Sequence, residues 1–104
     1  MKIEMLAEAA AELDDAVEYY SLIRPQLSEE LLRRFRDSVN NIELNHENHP
    51  RIETLTTDLN IRRAILKQFP YMIVFEILVD EIWILAFAHT AGQPNYWVNR
   101  MRDS

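Results

Sequence analysis

The chain has 104 residues, enough for one domain that buries roughly two-thirds of its surface around a single core. Hydrophobic residues make up 48% of the sequence and charged residues 27%, a composition that excludes a disordered chain. No apolar run reaches the length of about eighteen residues that a membrane span requires. The absence of cysteine excludes disulfides, thiol nucleophiles and cysteine metal sites.

The net charge is -6, and the acidic excess lies in the first half of the chain. Residues 1–50 carry eleven acidic and five basic residues, whereas residues 51–104 carry six of each. Proteins that bind a nucleic-acid backbone usually have a basic excess, because phosphate neutralisation supplies much of their affinity. The acidic half instead suits either solubility or a basic partner. Met1-Lys2 leads into an acidic, alanine-rich segment, so no signal peptide is predicted and we expect a cytoplasmic protein.

The first part of the chain alternates polar and apolar residues briefly and then becomes helical. Lys2 to Leu6 has the period of a short strand, either at a sheet edge or within a sheet. Apolar residues at three- and four-residue spacing then predict an amphipathic helix over residues 7–22. Arg24-Pro25 ends this helix, and a second apolar stripe predicts a helix from Leu27 to about Asn45. The two form a helical hairpin that packs on one face of a sheet, and residues 46–60 are predicted to be a loop.

The segment from Arg62 to His89 is rich in β-branched and aromatic residues and predicts three antiparallel strands. Lys67 to Pro70 marks the first reversal, and Asp80-Glu81 marks the second. After a turn at residues 90–94, Asn95 is a good N-cap for a short C-terminal helix in which Trp97 and Met101 share one side. We therefore predict one α+β domain over residues 1–104, with a two-helix hairpin packed on a small antiparallel sheet.

The predicted second hairpin has two different faces. With the turn at Asp80-Glu81, the pairs Ile77–Ile84, Phe75–Ala86 and Ile73–Ala88 form the core face. The other face is apolar but contains a carboxylate and an imidazole; it carries Met72, Val74, Glu76, Leu85, Phe87 and His89, with Trp83 near the turn. Such a face is expected either to be covered by a terminal segment or to bind a partner. The register of the first hairpin leaves open whether Arg63 or Arg62 shares this face, the latter opposite Glu76.

The three histidines of the sequence are candidates for reactive or metal-binding groups. His89, with Glu76 to orient it, is either a general acid or base or a histidine bonded to the backbone, and the two alternatives have equal weight. His46 and His49 flank Glu47 at a helix end, but no third ligand is evident. We therefore interpret them as loop residues and predict no metal.

A basic group is predicted in the sheet at Arg62, Arg63 and Lys67, which Arg100 and Arg102 of the C-terminal segment can join; Tyr71, Tyr96 and Trp97 are expected nearby. Such residues either bind a nucleotide by charge and stacking or pair with acidic groups of this chain or of a partner. The sequence has no glycine-rich phosphate loop and no dinucleotide motif, so no cofactor is predicted.

Several short segments, in this order and spacing, resemble the RelE/ParE superfamily of bacterial toxins, close to plasmid stabilisation proteins. They are Ala9-Ala10-Ala11-Glu12-Leu13, Tyr19-Tyr20, Arg62-Arg63, Phe69-Pro70-Tyr71, Ala88-His89, Pro94, Tyr96-Trp97 and Arg100. The resemblance spans nearly the whole chain. It implies two helices on a small antiparallel sheet, in agreement with the pattern described above.

The resemblance implies two kinds of activity. RelE-like members cleave messenger RNA in the ribosome, which would make His89, Tyr96, Arg63 and Arg100 catalytic. ParE-like members act on DNA gyrase and are not nucleases. Relatives usually place arginine after the histidine, whereas this chain has Thr90-Ala91-Gly92-Gln93. The missing cation favours the ParE-like alternative, because a dianionic transition state needs positive charge nearby.

We therefore expect a non-enzymatic toxin of a type II toxin–antitoxin module that binds and inhibits DNA gyrase and is neutralised by a protein antitoxin. The antitoxin is expected to wrap its C-terminal segment over the apolar sheet face and to extend a sheet edge. The implied partner-binding residues are Met72, Val74, Glu76, Leu85, Phe87, Arg62 and Trp97. The alternatives are a ribosome-dependent nuclease and a degenerate member that only pairs with an antitoxin. The oligomeric state is not predicted.

Overall fold

Two helices pack on a four-stranded sheet, as the apolar periodicity predicts. The computed structural model describes residues 1–52 and 58–101, so part of the predicted loop 46–60 lies outside the described residues. The strands are β1 (Lys2–Met5), β2 (Ile61–Ile65), β3 (Tyr71–Ile77) and β4 (Glu81–His89), and the helices are α1 (Ala7–Ile23) and α2 (Pro25–Asn45). Single 3₁₀ turns follow at His46–Asn48 and Val98–Arg100. The α+β fold class is thereby confirmed.

The sheet has the strand order β1-β4-β3-β2. Strands β2, β3 and β4 form the predicted antiparallel meander. β1 pairs in parallel with β4, with Lys2 opposite Glu81 and Met5 opposite Ile84, so the sheet is mixed rather than wholly antiparallel. The long connection between these two strands makes the parallel pairing possible, since parallel strands require a crossover.

The helical hairpin breaks where the sequence predicts. Arg24 has an extended backbone (φ −166°) and caps the end of α1, and Pro25 occupies the first turn of α2. Proline is tolerated there because its missing N–H would have no partner inside the helix. Both helices bury their apolar stripes against the same face of the sheet, here called the helix face. Its core contains Ala9, Ala16, Leu31 and Ile42 from the helices and Ile73, Phe75, Ile84 and Phe87 from the strands.

The turn between β3 and β4 lies at residues 78–80, one position before the predicted tip at Asp80-Glu81. Ile77 therefore lies opposite Ile82 and not opposite the predicted Ile84. The prediction from the polar pair Asp80-Glu81 is one position late for two reasons. Val79 is apolar but lies in the turn with 98% of its surface exposed, and Glu81 already belongs to β4.

A β-bulge changes the orientation of the second half of β4. Phe75 lies opposite Ile84, but Val74 lies opposite Ala86, which leaves Leu85 as the extra residue. One extra residue moves every later side chain of a strand to the other face of the sheet. The predicted pairs Phe75–Ala86 and Ile73–Ala88 are therefore wrong, since Ile73 lies opposite Phe87.

Phe87 lies on the helix face and not on the predicted partner-binding face. Its ring stacks on Tyr71 with the centroids 4.7 Å apart and contacts Phe35 of α2 edge-on at 5.8 Å. Only 2% of Phe87 is exposed. The extra residue at the bulge is the physical reason for this correction.

The opposite face, here called the front, is covered by the chain itself. Val74 and Leu85 are fully buried there, and Trp97 from the C-terminal segment is fully buried against them. Partly buried apolar residues of the sheet and of the segments around it pack against this cluster, namely Leu6, Ile52, Leu59, Met72, Trp83 and Met101. Of the two alternatives left by the sequence, coverage by a terminal segment is correct, and the expected open apolar platform is wrong.

The C-terminal segment reaches the front through a tight turn. The Gly92 N–H donates to the carbonyl of His89 at 2.9 Å, and a Cβ at Gly92 would approach that oxygen to 3.1 Å. Asn95 has a left-handed backbone (φ 57°), which asparagine tolerates better than most residues. Asn95 therefore does not cap a helix; the expected short helix is the single turn Val98–Arg100, and Trp97 and Met101 share one side as predicted.

No helix within residues 1–52 and 58–101 combines the length and apolar character needed to cross a membrane.

Candidate functional site

One carboxylate of α1 gathers the polar groups of the C-terminal segment. The Tyr96 hydroxyl donates to Glu12 Oε2 at 2.5 Å. Arg100 donates from Nη1 to Glu12 Oε1 at 2.9 Å and from Nη2 to Oε2 at 3.4 Å. The Arg100 guanidinium also lies 5.2 Å from the centroid of the Tyr96 ring. We call Glu12, Tyr96 and Arg100 the Glu12 cluster.

The Glu12 cluster also completes the hydrogen bonds of β4. β1 ends at Met5, and the Leu6 N–H donates to the carbonyl of Ile84. Beyond that point side chains take the place of a strand. The Phe87 N–H donates to Glu12 Oε1 at 3.1 Å, and Arg100 donates to the carbonyl of Leu85 at 3.1 Å. The cluster thus satisfies backbone groups on both sides of the bulge, which would otherwise cost free energy when buried.

The cluster fixes the protonation state of the phenol. Burial raises the pKa of Tyr96, and the hydrogen bond to Glu12 and the charge of that carboxylate raise it further. The charge of Arg100 and its hydrogen bond lower the pKa of Tyr96, but they do not cancel this increase. Tyr96 is therefore a neutral hydrogen-bond donor at physiological pH, and its hydroxyl proton points at a carboxylate.

His89 lies at the end of β4, exposed and opposite Tyr71. Its Nδ1 accepts the Ala91 N–H at 3.1 Å, and its ring lies 5.2 Å from the Tyr71 ring. Glu76 lies five residues further along β3, a separation of about 17 Å at the rise of a strand. The proposed orientation of His89 by Glu76 is therefore wrong, and the alternative of a histidine bonded to the backbone describes the observed contact.

The predicted basic group is divided between the two faces of the sheet, and its member Arg102 lies outside the described residues. Arg63 lies opposite Val74, on the front, which resolves the open register. Arg62 lies opposite Phe75 rather than Glu76. Its guanidinium donates to the carbonyl oxygens of Glu47 at 2.8 Å and His49 at 2.7 Å and to Asn60 Oδ1 at 2.9 Å; it therefore holds the loop before β2.

Arg63 and His89 line one groove at the C-terminal turn, with a volume of about 270 Å³. Tyr96 lines a different cleft, which His89 also borders. The structure thus brings His89 and Tyr96 together and places Arg100 beside Tyr96. It does not gather Arg63, Tyr96 and His89 around one point.

Most of the predicted partner-binding residues are inaccessible in this conformation. Val74, Glu76, Leu85 and Trp97 are all 0% exposed, and Phe87 lies on the helix face. Met72 and Arg62 keep partial exposure. A partner approaching the front would meet the covering C-terminal segment before it met these side chains.

His46 and His49 do not form a metal site with their neighbours. Nε2 of His49 lies 2.8 Å from Oδ1 of Asn41, and its ring contacts Phe75 edge-on at 5.7 Å. Burial lowers the pKa of His49, and the charge of Arg62 lowers it further. Across residues 1–52 and 58–101, no group of three or more histidine or acidic residues is arranged to hold a metal ion.

An open cleft of about 430 Å³ lies between α1 and the end of β4. We call it the α1 cleft; it is lined by Glu12, Asp15 and Tyr19 of α1, Tyr71, Phe87 and His89 of the sheet, and Gly92 and Tyr96 after it. Beside it, Leu22 and Ile23 are 82% and 59% exposed. The sequence analysis missed this surface, although the seven-residue spacings Glu12–Tyr19 and Asp15–Leu22 indicate one side of a helix.

Comparison with known proteins agrees with this architecture. The family described as ParE toxin of type II toxin-antitoxin system, parDE, matches residues 3–94. A solved structure from P. aeruginosa, described as a chromosomal ParDE TA system, is similar with a TM-score of 0.72 and 20% sequence identity. The similarity covers 86% of this chain and 95% of that one and shows a shared fold. No curated protein matches significantly. Because the family match spans most of the sequence, the chain belongs to the ParE toxin family of type II toxin–antitoxin systems.

Proposed function

We propose that this protein is a toxin that acts in the cytoplasm by binding and inhibiting DNA gyrase, and that a protein antitoxin neutralises it. Membership of the ParE family supports the proposal. The observation that carries it is the Glu12 cluster, because the two C-terminal groups a nuclease would use are both bound to Glu12.

A ribonuclease needs a base for the attacking hydroxyl and a cation for the charge that develops on the phosphate. The Tyr96 hydroxyl donates a hydrogen bond to Glu12 and its pKa is raised, so it stays protonated at physiological pH and is not available as the base. The charge of Arg100 is balanced by the same carboxylate. Arg63 lines a separate groove, and the segment directly after His89, Thr90-Ala91-Gly92-Gln93, contains no arginine. These contacts favour a binding protein over a RelE-like nuclease. The strongest observation for the nuclease alternative is that His89 and Tyr96 border the same cleft.

The proposal is tested with purified protein and gyrase in a supercoiling assay, together with growth after induced expression. We expect blocked supercoiling or accumulated cleaved DNA, and growth arrest that persists in His89→Ala. Under the nuclease alternative, transcripts are cut only when translated, gyrase is unaffected, and His89→Ala restores growth. The latter set of results would refute the proposal.

The antitoxin is tested by coexpression with a small reading frame adjoining the gene. We expect growth to recover and the two proteins to copurify. A chain that copurifies with this product but never slows growth would be the degenerate member, which only pairs with an antitoxin.

A further inference from the structure

The exposed side of α1 changes character along its length. Glu8, Glu12, Asp15 and Tyr19 follow one another at intervals of four, three and four residues, and Leu22 continues the series. Residues at this spacing lie on one side of a helix. The stripe is therefore acidic over its first turns and apolar over its last, with Tyr19 and Leu22 59% and 82% exposed.

The α1 cleft lies where the two parts of this stripe meet, and its walls are aromatic and acidic. Tyr71 and Phe87 stack at 4.7 Å, and the rings of Tyr19 and Tyr96 border the same cleft. Aromatic rings attract cations through their negative faces, as the position of Arg100 over Tyr96 illustrates. These walls therefore suit a cation with an apolar stem better than a neutral apolar group alone.

The charges bordering the cleft leave one carboxylate available. Arg100 balances Glu12 by direct contact. Asp15 makes no ion pair or hydrogen bond with any described residue in 1–52 and 58–101. A cationic side chain entering the cleft would thus meet Asp15 on the helix and the rings beside it.

We propose that the α1 cleft is a recognition site for an arginine or lysine side chain of a partner polypeptide, with Asp15 as its counter-ion and Tyr19 and Tyr71 as its aromatic walls. The argument for this occupant is charge complementarity, since residues 1–50 carry eleven acidic residues and five basic ones. The inference rests on the proposal that a protein antitoxin binds this toxin, and the antitoxin would supply the basic residue.

The same geometry sets the pattern expected in the partner. Asp15 and Leu22 are seven residues apart, which corresponds to about 10 Å along a helix. A partner helix that lies along the stripe would place an apolar residue against Leu22 and Ile23 about two turns from the basic residue. An antitoxin segment with this spacing would contact both parts of the stripe together.

The site is tested on the full-length protein by two-dimensional NMR with N-acetyl-arginine methylamide as the probe. N-acetyl-norleucine methylamide serves as an uncharged probe of similar length. We expect the arginine amide to shift the amide signals of Asp15, Tyr19 and Gly92 and to bind more tightly than the norleucine amide. Asp15→Asn, which keeps the shape of the side chain, should weaken binding of the arginine amide roughly threefold to fivefold.

Asp14→Asn is the matched control, because Asp14 is exposed and its side chain points about 100° away around the helix. It should leave binding unchanged. Equal weakening by both substitutions, equal binding of both probes, or no shift at the cleft would overturn the inference. The NMR experiment does not require the protein to be toxic. If the protein is toxic and an antitoxin neutralises it, but it does not bind the arginine amide, only the proposed site is refuted. A chain that binds the amide but neither arrests growth nor affects gyrase refutes the proposed function alone.

Discussion

Replacing Glu12 by alanine removes the acceptor of four hydrogen bonds that join α1 to β4 and the C-terminal segment. Hydrogen bonds to a charged group contribute about 1.5–3 kcal/mol each, but these four share one carboxylate and are not additive. The loss also leaves the Phe87 N–H without its acceptor and Arg100 without its counter-ion. We expect Glu12→Ala to lower the free energy of unfolding by about 2–4 kcal/mol.

Urea unfolding followed by tryptophan fluorescence measures this change. Asp14→Ala, an exposed position on the same helix, should stay within about 0.5 kcal/mol of the parent protein. A double-mutant cycle with Arg100→Met should give a coupling of about 1–3 kcal/mol. A loss below about 0.5 kcal/mol for Glu12→Ala, or strict additivity with Arg100→Met, would refute the structural role of the cluster.

Three further predictions concern the core, the front and pH. Phe87→Ala should lower the free energy of unfolding in urea by about 3–5 kcal/mol, whereas Leu22→Ala, at a residue 82% exposed, should change it little; similar values would contradict the burial of Phe87. Trp97→Ala should cost about 3–5 kcal/mol and increase binding of a hydrophobic dye, because it uncovers the front; unchanged dye binding would argue against the cover. The pKa of His49 is lowered from about 6.5, so its contribution to stability is present above that pH and lost as pH falls through the lowered value. His49→Gln should therefore flatten the acid side of the stability curve; an unchanged slope would contradict this assignment.

The sequence predicted the elements well because each depends on local pattern. Apolar spacing located both helices to within two residues at each end, and Pro25 located the break between them. The reversal at Lys67 to Pro70 is also correct, since β2 ends at Ile65 and β3 begins at Tyr71. These signals act between neighbours in the chain, and tertiary contacts did not override them.

The candidate site was harder to predict because it depends on one residue of register. Leu85 at the bulge carries no glycine or polar signal, yet it moves Phe87 from one face of the sheet to the other. Coverage of the front by a terminal segment is one of two alternatives that the sequence allows, and Trp97 is not identified as the covering residue because a sequence does not show where a terminal segment returns. Glu12 is 75 positions from Phe87, 84 from Tyr96 and 88 from Arg100, and periodicity gives no information about contacts over such separations.

The parallel pairing of β1 with β4 sets an order of assembly. Residues 2–5 are synthesised before their partners at residues 81–84, and both helices and two strands lie between them in the chain. The meander of β2, β3 and β4 requires only local turns and can form early, whereas β1 must close a loop of nearly eighty residues. The apolar stripes of the helical hairpin therefore have no sheet to pack on until the strands at residues 61–89 have been synthesised. Slowing synthesis before residue 81 should lengthen the interval in which a chaperone, or another chain, can capture them.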